Sequence, residues 1–154
     1  VTYNLHVMLR FGLETDVWDG KLRVDELPEA WNARMERDLG VRPRADHEGV
    51  LQDVHWYAGP FGGSFQGYTL GNLLAAQLWE AAERAHPGLE SKLANGDFGA
   101  LLAFLRERVH RHGARLEPAE LVEHATRAPL SIEPFLSHVK TRYGGLHGVA
   151  FDGA

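Results

Sequence analysis

The sequence predicts an all-α fold. Apolar residues recur every three or four positions in one segment after another. Glycines and prolines break those segments at helix-length intervals, and no series of short alternating runs marks a sheet. Leu5, Met8, Leu9 and Leu13 open the pattern, so a first helix is expected to run to the Asp19-Gly20 turn. A second is expected over Leu27 to Leu39, with Asp25 placed to cap it, Pro28 in its first turn, Trp31 and Met35 continuing its apolar stripe, and Gly40 ending it. Periodicity fails from about 41 to 67, where Pro43, Pro60 and a glycine cluster mark a long irregular segment. Helical spacing returns at Thr69 with Leu70, Leu73, Leu74 and Leu78 and stops at His86-Pro87-Gly88, because the residue before a proline disfavours helix. Phe98, Leu101, Leu102, Leu105 and Val109 mark the next helix, capped by Asp97 and closed near Gly113. Pro118 opens a short helix carrying Leu121 and Val122. Ser131 caps a last one that is expected to end before Gly144-Gly145.

A chain of 154 residues without cysteine fits a single helical domain that needs no disulfide. Thiolate metal sites and cysteine nucleophiles are excluded, and a reducing, cytoplasmic compartment is the expected one. The formal net charge of -5 is spread as interspersed acidic and basic residues, which leaves no basic footprint for nucleic acid or an anionic membrane surface. Apolar runs fall far short of the roughly 20 residues that span a bilayer. Val1 enters directly into an amphipathic run with no capping residue before it, so the expectation is a piece of a longer polypeptide.

Several chemistries can be tested on the residues themselves. "GPFGGSFQG" has neither the lysine of a P-loop nor the spacing of a dinucleotide-binding turn, and no strand pattern precedes it. Ser64 lacks the following glycine of a hydrolase elbow, since Gln66 stands there. The nine histidines include no HExxH; His110 and His112 point apart on a helix, and His124 has no partner at ligand spacing. His6 and Arg10, four apart on one helix face, fit either a cleft that receives an anionic group or an ordinary solvated face.

"QDVHW" carries the richest cluster. If the segment is extended, Asp53 and His55 project to the same side, where the carboxylate orients the imidazole and favours its protonated form. An imidazole so held can donate to a developing oxyanion, Trp56 and Tyr57 would exclude water, and Tyr68 adds a second hydroxyl donor. The competing reading is a turn in which Asp and His cap backbone groups and Trp joins the core.

At these residues the sequence resembles the Taq-type zinc metallocarboxypeptidases, whose motif GxxQDxHW is matched by Gly49, Gln52, Asp53, His55 and Trp56. "YNLHVMLRF", "LPEAWN", "GYTLGN" and "AAQLW" are similar to the family in the same order, so the resemblance covers nearly the whole chain. It implies the helical C-terminal part of a zincin-type metallopeptidase. The HExxH zinc motif and a downstream glutamate ligand would precede Val1, so no metal is expected in this chain, and zinc would belong to the intact enzyme. It also implies removal of single residues from peptide C-termini, with His55 and Tyr68 holding the oxyanion. Gln52, Asp53, Trp56 and Arg10 would bind substrate or support that wall. Expected partners are a peptide substrate, the N-terminal remainder of the polypeptide and a second copy in a homodimer. Two other readings stay open. One is a stand-alone helical binding or scaffold module without catalysis; the other is a metal-free hydrolase built on Asp53 and His55, which lacks a nucleophile at recognisable spacing.

Overall fold

The computed structural model describes residues 2–57 and 62–151, and the chain divides into two compact units, residues 1–70 and 71–154. Among the described residues there are seven α-helices joined by 3-10 turns and no strand: the protein is all-α.

In the first unit, α1 (Tyr3–Trp18) packs Leu9 and Leu13 against Leu27 and Trp31 of α2 (Leu27–Leu39), with Val50 closing the cluster. Full burial of each such side chain is worth about 1.5–3 kcal/mol relative to exposure, which fixes the pairing of the two helices. Gly40 ends α2 in the left-handed region, at φ 68°, where its N–H reaches Glu36 O and the next N–H reaches Met35 O. Asp25 does not cap α2. It sits in a 3-10 turn, Val24–Glu26, and its carboxylate takes the exposed Arg23 guanidinium, while Glu26 turns back to the Arg23 N–H.

The expected irregular segment is a chain of 3-10 turns, Asp46–Glu48, Val50–Gln52 and Val54–Trp56. It is also shorter than expected. The next helix, α3 (Phe65–Ala85), starts before Thr69, because Phe65 is buried and anchors its first turn, outweighing the cost of Gly67 inside a helix, about 1 kcal/mol.

In the second unit, Ala81 and Ala82 of α3 meet Leu89 of α4 (Leu89–Ala94) and Phe104 of α5 (Gly99–Arg108). The sequence reading missed α4, a six-residue element whose apolar pattern is a single i, i+4 pair, Leu89 and Leu93. It is started by Glu83, whose carboxylate accepts the Gly88 and Leu89 N–H groups. Asp97 accepts the Gly99 N–H at the head of α5, and Ser131 Oγ accepts the Glu133 N–H at the head of α7. Between α6 (Pro118–Thr126) and α7 (Glu133–His147), buried Gln77 donates to Thr126 Oγ1 and Pro129 O and accepts the Ser131 N–H. The last helix does not stop at Gly144-Gly145 but runs on to His147 and ends at Gly148, φ 63°. No helix among the described residues is long and apolar enough to cross a membrane.

Candidate functional site

All of the site lies in the first unit. Asp53 is the extended residue between two 3-10 turns, and its side chain does the work of an N-cap: Oδ1 accepts the His55 N–H at 3.1 Å. The same oxygen lies 2.6 Å from His55 Nδ1. Asp53 and His55 therefore meet, though not through the strand-like alternation expected from sequence; a capping turn folds the imidazole onto the carboxylate.

The other carboxylate oxygen of Asp53 accepts from Arg10 Nε of α1. Arg10 also donates Nη1–H to His6 O at 2.9 Å, and its guanidinium lies 4.7 Å from the centroid of the Trp31 ring. The Asp53 side chain is 4% exposed. Burial alone would push its carboxyl upward, but hydrogen bonds from Arg10 and His55 outweigh burial and hold it below its ordinary value. His6 is lowered, first by burial and then by the charge of Arg10.

His55 Nε2 lies 2.9 Å from Tyr68 Oη, in the second turn of α3. A carboxylate only accepts, so Nδ1 carries the proton shared with Asp53. In the neutral ring Nε2 then accepts from the Tyr68 hydroxyl; in the protonated ring Nε2–H donates to the Tyr68 oxygen. The imidazole packs against Phe65, at 5.4 Å between centroids, and edge-on to the Tyr68 ring.

This relay opens on a cleft of about 510 Å³ lined by Tyr3, His6, Arg10, Gln52, Asp53, His55 and Tyr68, with Val7, Val54 and Phe65 as its apolar part. Gln52 stands on its exposed margin. Trp56 turns the other way, into the core edge against Trp31 and Phe65, and Tyr57 is exposed, so neither closes the cleft against water. Trp56 instead supports Phe65, which backs His55. The sequence reading missed Tyr3. Its signal was the spacing Tyr3, His6, Arg10, which places all three on one face of α1.

A larger cleft of about 750 Å³ lies in the second unit. Its charged groups are already engaged: Glu83 with backbone amides, Arg84 with Glu80 and the Thr126 carbonyl. The first-unit cleft is the one with convergent groups placed for chemistry. The described residues include no group of three or more His, Asp or Glu that could hold a metal ion, and both ring nitrogens of His55 already have partners. The residues described here do not fit a metal site.

The thermostable carboxypeptidase 1 of Thermus thermophilus is 44% identical to this chain over 148 residues, covering 96% of it and 29% of the relative. That of Pyrococcus furiosus is 43% identical over 143 residues, covering 93% and 28%. Among solved structures, the M32 carboxypeptidase from Deinococcus radiodurans R1 superposes with a TM-score of 0.93 at 54% identity, over 97% of this chain and 30% of that one. The chain thus spans about three tenths of the length of the relatives it matches. Residues 1–143 match the family described as carboxypeptidase Taq (M32) metallopeptidase, and with nearly the whole chain aligned at these identities, the protein belongs to that family.

Proposed function

We propose that this chain forms one wall of the substrate cleft of a zinc-dependent metallocarboxypeptidase that removes single residues from peptide C-termini. The observation that carries the proposal is the Asp53–His55–Tyr68 relay opening on the α1 cleft. When the imidazole is protonated, Nε2–H donates to the Tyr68 oxygen, which leaves the phenol proton free to meet a tetrahedral oxyanion. Asp53 stabilises the imidazolium, and Arg10 balances the carboxylate. Gln52, Asp53, Trp56 and Arg10 are supporting residues in this reading, and Gln52, on the exposed margin, is the one placed to touch substrate. Zinc, the metal implied by the motif resemblance, would be held by residues outside these 154. The same reading takes peptides as substrate, the remainder of the polypeptide as the partner that completes the cleft, and a cytoplasmic homodimer as the working form.

Loss of one oxyanion donor costs about 10²–10³ in kcat. In the polypeptide that joins this chain to its remainder, His55→Gln is therefore expected to lower kcat on a C-terminally exposed peptide by about 10²-fold, with zinc content unchanged. Full activity, or loss of stoichiometric zinc in that variant, contradicts the proposal.

A further inference from the structure

Glu14 has no part in the relay, yet among the described residues it is one of the few buried charged side chains, 4% exposed. It lies on α1 one helical turn after Arg10, on the same face. Its Oε2 accepts the Gly63 N–H at 3.0 Å, across 49 positions of sequence. Gly63 sits at φ 82° and Gly62 at φ 105°, in the region that favours glycine. A Cβ on Gly62 would stand 2.5 Å from the Trp18 indole nitrogen, so this turn lies flat on α1.

The turn feeds straight into α3. Gln66 Nε2 donates to Gly63 O at 2.7 Å, the Gly67 N–H reaches Ser64 O, and Tyr68 follows at once. Beyond Tyr68, Thr69 Oγ1 donates to Asn4 Oδ1 of α1. Tyr68 is thus bracketed by two ties to the helix that also holds Asp53 through Arg10.

We propose that Glu14 is a positioning residue: by fixing the Gly62-Gly63 turn through the Gly63 amide, it sets the register of Tyr68 Oη against His55 Nε2. Arg10 and Glu14, one turn apart, then hold the two ends of the relay from a single helix. A buried carboxylate spent on one backbone amide is costly unless that amide must stay where it is. This inference rests on the reading of His55 and Tyr68 as the oxyanion pair.

The test uses the full chain, labelled with ¹³C and ¹⁵N. It reads the Gly63 amide exchange rate, the Tyr68 Cζ shift and the His55 Nε2 shift. Glu14→Ala is expected to abolish Gly63 protection and move the Tyr68 and His55 signals to those of separated side chains. Glu14→Gln, which keeps an oxygen acceptor, retains all three, and Gln77→Ala, which removes a buried polar side chain in the other unit, leaves them in place. If Glu14→Ala does not fold, Glu14→Asp makes the same discrimination, because one methylene less withdraws the acceptor at unchanged charge. Unaltered Tyr68 and His55 signals in a folded Glu14→Ala or Glu14→Asp chain overturn the inference. Signals that move, in a polypeptide whose kcat is indifferent to Tyr68→Phe, leave the positioning intact and remove the catalytic reading instead.

Discussion

Asp53 answers to three donors with two oxygens: the Arg10 guanidinium on one, the His55 backbone and ring on the other. Removing its charge leaves Arg10, whose side chain is 16% exposed, without its counter-ion. Asp53→Asn is accordingly expected to destabilise the protein by about 3 kcal/mol, the lower end for breaking a buried pair, measured by urea unfolding. Because the folded value of Asp53 is depressed, its contribution is complete above the ordinary value of 3.8 and is lost as pH falls through the lower folded value. The wild type should lose more stability there than the Asn variant, in which only the other depressed carboxylates, such as Asp25 and Asp38, still titrate. The motif residues were legible in sequence, since Gly49, Gln52, Asp53, His55 and Trp56 stand at fixed spacing. Their geometry was not, because a capping turn and a strand both bring positions two apart to one side. Glu14 left no trace in sequence at all: its partner is a backbone amide, which has no residue type to recognise.

At the scale of elements, helix interiors were read from the 3.6-residue period, and errors fell where glycine or a distant carboxylate sets the boundary. Asp25 does not cap α2 because it lies inside the preceding 3-10 turn, where Glu26 takes the cap position, and α4 escapes because its cap, Glu83, lies on the preceding helix. The helix runs through the Gly144-Gly145 pair, where the sequence predicts a stop, and the need for glycine at one of the two is visible only in three dimensions. A Cβ on Gly144 would lie 2.9 Å from the Val149 carbonyl oxygen, where the chain folds back after Gly148, whereas a Cβ on Gly145 meets nothing within 4 Å. Opposite signs follow. Gly145→Ala should stabilise by about 0.5–1 kcal/mol and Gly144→Ala should destabilise by at least about 1 kcal/mol, both read from thermal unfolding.

The link between α5 and α6 carries a second titrating device. The His112 and His124 rings lie 4.4 Å apart, and His112 Nε2 is buried without a hydrogen-bond partner among the described residues. His124 is lowered from its ordinary value by burial, then by His112, Arg127, Arg108 and Arg111. A lowered histidine leaves stability whole above 6.5 and erodes it as pH falls through the folded value. His124→Gln should flatten the melting temperature between about pH 5 and 7 relative to wild type.

For the whole molecule, the relatives' greater length decides what this chain can be asked to do. It spans about three tenths of them, and the residues described here form no metal site. What it holds is a pre-formed hydrogen-bond relay on the wall of a cleft. Under the proposed function, such a relay would act by binding a transition state better than a substrate, its donor meeting charge that develops only in the reaction. The most direct measurement is therefore a ratio of affinities in the polypeptide that carries this chain with its remainder: a phosphonate transition-state analogue against the matching uncleavable peptide, in wild type and in Tyr68→Phe. The account predicts that the analogue weakens by about 10²-fold while the peptide's affinity is unchanged. Equal weakening of both, or of neither, would contradict it.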